Sequence, residues 1–178
     1  MSKSADNDAQ SPSTVVRFPD VLEMADRLAR RAGRPLARFF LKVEARTRAF
    51  VPLVSSSVQA GFPSPADDYL DRPLDFNELL ITNPAATFAV RVDGNSMIGV
   101  GIHHGDIAVV DRSLPVRDRV IVVAMVDGEF FIKRYRNRGG RVWLQAENPT
   151  FPDTPITEET TFEVVGVVEK TIRLVGTR

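Results

Sequence analysis

The run Val92-Asp93-Gly94-Asn95-Ser96-Met97, together with the residues just before it, decides how this chain is read. Phe88-Ala89-Val90-Arg91-Val92 is apolar and β-branched with partial alternation, the pattern of a strand. Asp93-Gly94-Asn95 is turn chemistry, since Gly and Asn tolerate a positive φ. Ser96 therefore falls just past a strand end, where a small hydroxyl projects with backbone N–H groups beside it. A nucleophilic serine needs that setting, because the oxyanion it generates must meet donors already in place. It also needs a base, because a free hydroxyl is too weakly acidic to attack a peptide.

Three residues compete for the role of base. His103 and His104 follow Gly101-Ile102 and precede Gly105-Asp106, so they read as solvated residues of a turn. Lys133 lies in Glu129-Phe130-Phe131-Ile132-Lys133-Arg134-Tyr135, a strand-like run after the hairpin signal Asp127-Gly128. It shares a strand face with Phe131 and Tyr135. A lysine inside an apolar strand is desolvated, which lowers its pKa, and only the free amine can take the serine proton. Pattern alone leaves the other reading open, since most strand lysines reach water.

Outward from this centre the chain is a series of short strands. Ala86–Val92, Ile107–Val110, Arg119–Val126, the hairpin Glu129–Arg136 and Arg141–Ala146 around Asn137-Arg138-Gly139-Gly140, then Phe162–Val168 and Thr171–Val175, are the expected strands. Asp67–Ile81 reads as acidic and turn-rich, with a helical turn near Phe76–Leu80. Asn148–Ile156 reads as a loop. Many short strands separated by turns predict a mainly β, barrel-like body.

The 178 residues suffice for one compact domain and a smaller appendage. Without cysteine there are neither disulfides nor thiolate metal sites. No apolar run of membrane-spanning length occurs, and the polar first ten residues lack a signal-peptide core, so a cytoplasmic protein is expected. The net charge of zero hides an asymmetry: residues 1–60 carry 10 basic and 6 acidic side chains, and residues 61–178 carry 13 and 17. Residues 1–49 form a basic arm, whose first fourteen residues are too polar to bury. Asp20 and Glu23 make a capping box ahead of a helical stripe from Val21 to Ala32. Gly33 and Pro35 end it, and a second helix is expected from Pro35 with Leu36, Phe39, Phe40 and Val43 on one face. Two short helices about a tight turn read either as a DNA-binding helix-turn-helix lacking its third helix or as an arm that packs on the body or a partner.

Three motifs in order resemble the LexA/UmuD family of self-cleaving serine peptidases. They are Gly94-Asn95-Ser96-Met97, Gly105-Asp106 with Ile107–Val110, and Gly128-Glu129-Phe130 through Lys133, with Lys133 following Ser96 by 37 positions. Upstream, Val58-Gln59-Ala60-Gly61-Phe62-Pro63-Ser64-Pro65-Ala66 resembles the family's UmuD-type cleavage segment. The resemblance runs from about Phe50 to Val175 and implies a cleavage segment and linker at 50–66 and a peptidase domain at 67–178. It implies that Ser96 and Lys133 are the catalytic dyad and that Ala60-Gly61 is the scissile bond. The N–H groups of Asn95 and Ser96 are then the candidate oxyanion donors. No cofactor or metal is implied. Implied partners are a second copy in a homodimer, a RecA filament on single-stranded DNA, and an UmuC-type polymerase subunit of SOS translesion synthesis. The alternative within the family is a LexA-like repressor inactivated by the same cut. A type I signal peptidase shares the dyad, but no membrane anchor is seen here. A binding module with a dead site is disfavoured by the matched pair.

Overall fold

The computed structural model describes residues 40–42, 50–54 and 70–176. The expected scissile pair Ala60 and Gly61, and the helix expected after Asp20, lie outside the described residues. Those residues form strands β1 (Phe40–Lys42), β2 (Phe50–Val54), β3 (Leu70–Asp75), β4 (Thr87–Arg91), β5 (Ile107–Asp111), β6 (Ile121–Val126), β7 (Glu129–Arg138), β8 (Arg141–Gln145), β9 (Thr154–Pro155) and β10 (Phe162–Ile172). One short helix, α1 (Phe76–Leu80), joins β3 to β4; its N-cap Asp75 accepts the Asn77 N–H.

Eight strands make one sheet in the order β1-β4-β5-β10-β6-β7-β8-β9, and β2 pairs with β3 in a second. Every pairing is antiparallel. The apolar run of β6 explains how the core is built. Val123 and Met125 enter one cluster with Phe88, Val110 and Val165, while Val122, Ala124 and Val126 enter another with Tyr135, Leu144 and Val164. Successive strand side chains point to opposite faces, so β6 is covered on both faces and needs no polar alternation.

Four elements differ from the sequence reading, the smallest being Thr154–Pro155, which lies in the expected loop Asn148–Ile156 but pairs with the edge of β8. Phe40–Lys42, expected at the end of a helix, is a strand paired with Phe88–Val90. The otherwise unpaired edge of β4 supplies ladder hydrogen bonds there, and tertiary pairing overrides a three-residue helical preference. Leu70–Asp75, expected as turn-rich, pairs with β2 for the same reason. Phe162–Val168 and Thr171–Val175, expected as two strands, form one strand ending at Ile172. Its register shifts between Val164 and Gly166 against β6 and between Val168 and Lys170 against β5. Bulges bend a strand and increase its twist, so one strand serves both neighbours at the centre of the sheet.

Gly166 permits that close packing. A Cβ there would stand 2.7 Å from Val110 Cγ1 and 3.1 Å from the Asp111 carbonyl oxygen. Gly166→Ala is expected to lower stability by about 1–3 kcal/mol, as overpacking of a core does. Urea unfolding of the two proteins measures the difference.

Candidate active site

Ser96 stands where the sequence places it, in the turn after β4. Gly94 takes φ +93°, and a 3₁₀ turn, Ile98–Val100, follows and ends on Gly101 at φ +79°. Met97 and Ile102 drive the loop's apolar side chains into the first core cluster. Ser96 itself is half-buried and Asn95 exposed. No acceptor among the described residues takes the N–H of Asn95 or of Ser96.

The loop is bolted to the segment after β8. Glu147 N–H donates to the Ser96 carbonyl at 2.9 Å, and Gly99 N–H donates to the Glu147 carbonyl at 2.7 Å. Buried Asn148 donates from Nδ2 to the Asn95 carbonyl at 2.9 Å, while its Oδ1 accepts from the Thr150 N–H and hydroxyl. Gly99 is required by closeness: a Cβ there would collide with the Glu147 carbonyl. On the other side, Val92 and Gly105–Asp106 exchange backbone bonds at the loop's base. Asp106, 3% exposed, receives a two-pronged contact from Arg173, Nε to Oδ1 at 2.9 Å and Nη2 to Oδ2 at 2.7 Å.

Lys133 sits on β7 opposite Val122 and is 6% exposed. Tyr135 and Phe131, its partners on that face, pack in the second core cluster. Its ammonium lies 5.6 Å from the centroid of the Phe151 ring. Desolvation holds its pKa below the ordinary 10.5, with the charge of Asp153 pulling the other way. The adjacent Arg134 is anchored to the Glu147 carboxylate and to the Arg119 carbonyl. The Ser96 loop and the Lys133 ammonium thus border one segment, Glu147–Phe151. No hydrogen bond joins Ser96 to Lys133 in this conformation, among the described residues.

Among the described residues neither histidine makes a hydrogen bond to Ser96 or Lys133. His104 is exposed; its Nδ1 accepts the Gly94 N–H at 3.3 Å and lies 3.2 Å from Asp93 Oδ1. His103 is half-buried, and its backbone N–H donates to Asp106 Oδ2 at 2.9 Å. Among the described residues no group of three His, Asp or Glu side chains converges as a metal would require, and no helix is long and apolar enough to cross a membrane.

Asn148, Glu147 and Arg173 were absent from the sequence reading. Asn148-Pro149 marked only a loop, and nothing local pairs Asp106 with a residue 67 positions away.

The described residues thus form a β-sheet domain with a serine on a strand-end turn and a desolvated lysine on a core strand. The family model described as Peptidase S24-like matches residues 52–169, and the chain belongs to that family of serine peptidases. It is similar to Protein SamA of Salmonella typhimurium, 44% identical over 117 residues that cover 66% of this chain and 81% of SamA. Protein MucA of Escherichia coli is 42% identical over 102 residues, covering 57% of this chain and 69% of MucA. The LexA repressor of a Parafrankia strain is 41% identical over 130 residues, 72% of this chain but 50% of the repressor.

Two outcomes follow for stability. Asp106, held at a pKa of about 2 chiefly by the Arg173 hydrogen bonds, contributes stability above its unfolded value of 3.8 that is lost as pH falls through 2. Asp106→Asn should therefore lower the thermal midpoint at pH 7, with the gap to the parent narrowing between pH 4 and pH 2. Lys133 has the opposite effect. Its folded pKa is depressed, so burying the ammonium costs stability at neutral pH and that cost fades as pH rises toward 10.5. Lys133→Met should melt higher than the parent at pH 7, with the gain shrinking in alkaline buffer.

Proposed function

We propose that this chain is a self-cleaving peptidase that cuts its own Ala60-Gly61 bond with Ser96 as nucleophile and Lys133 as base. The observation that carries this reading is the buried, desolvated Lys133 in a chain of the S24 peptidase family. A water-excluded amine below its ordinary pKa is what a general base for serine requires. Catalytic hydrogen bonds often tighten only when substrate is seated, so this reading does not require a Ser96–Lys133 hydrogen bond in the structure described.

The chemistry runs in two halves. Lys133 Nζ, as free amine, takes the Ser96 proton while Oγ attacks the Ala60 carbonyl carbon. The N–H groups of Asn95 and Ser96 meet the oxyanion. The C–N bond then breaks, and the Lys133 ammonium returns the proton to the Gly61 nitrogen. A water, deprotonated by the same amine, releases Ala60 from Ser96. Ala60 is small enough for a narrow pocket, and Gly61 leaves its neighbour's carbonyl open. The substrate is tethered, so its effective concentration is high.

In the cell this reading makes the chain an SOS-response protein, cut in response to a RecA filament on single-stranded DNA. The product from Gly61 onward would serve, as a homodimer in the cytoplasm, as accessory subunit of an UmuC-type translesion polymerase. The Gln59–Pro65 segment supports it. A LexA-like repressor is the second reading, favoured by the similarity to the Parafrankia repressor and by the net +4 of residues 1–60. Measuring binding of the intact chain to operator-type duplex, with its salt slope, separates the two.

Mass spectrometry of the purified chain, incubated with and without activated RecA filament, tests the cut. A fragment beginning at Gly61 is expected. Ser96→Ala should abolish it, and Lys133→Ala should slow it by about 10²–10⁴-fold or more. The rate should climb from neutral pH and level off before 10.5, because the free amine is the active form. Cleavage by Ser96→Ala, or a rate flat with pH, contradicts the dyad.

A further inference from the structure

The β7–β8 hairpin inverts the charge of the domain around it. Between Glu129 and Gln145 it carries Lys133, Arg134, Arg136, Arg138 and Arg141 against a single carboxylate, that of Glu129, although residues 61–178 are net acidic. Three of these cations are committed. Lys133 is buried, Arg134 is anchored to Glu147, and Arg136 donates to Asp118 at 3.0 Å and to Gln145 Oε1 at 2.6 Å.

Arg138 and Arg141 are left over. They are exposed, stand directly opposite each other in the β7–β8 register, and join no salt bridge among the described residues. Like charges facing across a strand pair are destabilising. An anion bound between them relieves that repulsion.

The next rung supplies the second half of a site. Trp143 pairs with Arg136 on one side and with Pro155 on the other, so its side chain shares a sheet face with Arg138 and Arg141. An open groove of about 540 Å³ runs here, lined by Arg138, Arg141, Val142, Trp143, Asp153 and Pro155. The Arg136 guanidinium lies 5.4 Å from the Trp143 ring centroid. Asp153 is the acidic member of the lining. Its Oδ1 accepts the Ala146 N–H at 3.0 Å, so part of that charge is already engaged.

Two unpaired guanidinium groups beside a half-exposed indole select among polyanions. An acidic peptide would neutralise the arginines but offer no flat partner to the ring. A duplex presents phosphates but keeps its bases inside the stack. A single strand offers both, because its bases stack on aromatic rings while arginines take its phosphates. We propose that this hairpin face binds single-stranded nucleic acid, with phosphates on Arg138 and Arg141 and a base stacked on Trp143. The inference is independent of the dyad.

The test is direct, because Trp143 is the chain's one tryptophan and its fluorescence reports this groove. The full chain is titrated with an oligothymidylate of about 12 nucleotides, a duplex of equal length, and a polyglutamate peptide, at several salt concentrations. Saturable quenching by the single strand, tighter than by either other ligand, is expected. Arg138→Gln with Arg141→Gln should weaken it at least tenfold and reduce the log–log salt slope by about 1.4, two phosphate contacts at ~0.7 each. The doubly Lys-substituted chain should keep the slope. Absence of quenching overturns the proposal, as does quenching indifferent to the double Gln variant. Tighter binding of duplex or acidic peptide also overturns it and assigns the face to that ligand.

Discussion

A charged amine resists being taken out of water, and the architecture is arranged around one that has been. Lys133 occupies a strand position whose cross-strand partner, Val122, and whose neighbours on that face, Phe131 and Tyr135, are core residues. The Phe151 ring stands near the ammonium. Asp153 acts on it only through its field, and desolvation is the larger effect. A close carboxylate would have neutralised the cost and also fixed the proton in place. The fold supplies instead a site where the free base is accessible at lower pH than in solution.

The second feature is a turn carrying Ser96 that is fixed without a rigid element of its own. The β4–β5 loop is held through borrowed contacts. Glu147 and Asn148 fix the backbone at Asn95, Ser96 and Gly99, and the Asp106–Arg173 pair fixes the loop's base to the end of β10. Glu147 also holds Arg134, the residue after the lysine. One short segment after β8 thereby contacts both the Ser96 loop and the residue next to Lys133. The central place of β10, paired to β5 and β6 together, makes the assembly depend on the last strand of the chain.

Much of this was legible in the sequence. The β4 strand, the Gly94 turn, the β7–β8 hairpin and the half-polar run ending in Tyr135 have local causes, namely side-chain period and turn chemistry, and the structure has them where those causes put them. The burial of Lys133 was half legible: its strand and face could be read, but whether water reached it depended on β6, β8 and Phe151. What escaped is non-local. Phe40–Lys42 and Leu70–Asp75 became strands because an edge was available to each. The Asn148 and Arg173 contacts join residues 53 and 67 positions apart, and no local pattern marks such pairs. On the proposed reading, β1 and β2 lie on the leader side of the cut yet pair with β4 and β3 on the product side, so backbone hydrogen bonds would still hold the leader after cleavage.

The claim on which the rest depends is that Lys133 ionises less readily than a lysine in water. The chain has four lysines, Lys3, Lys42, Lys133 and Lys170, so side-chain NMR of a lysine-labelled Ser96→Ala chain can follow each Nζ through an alkaline titration. The resonance missing from a Lys133→Arg companion sample identifies the residue. The account predicts a midpoint for Lys133 below the ordinary 10.5. A midpoint at or above 10.5 would contradict it.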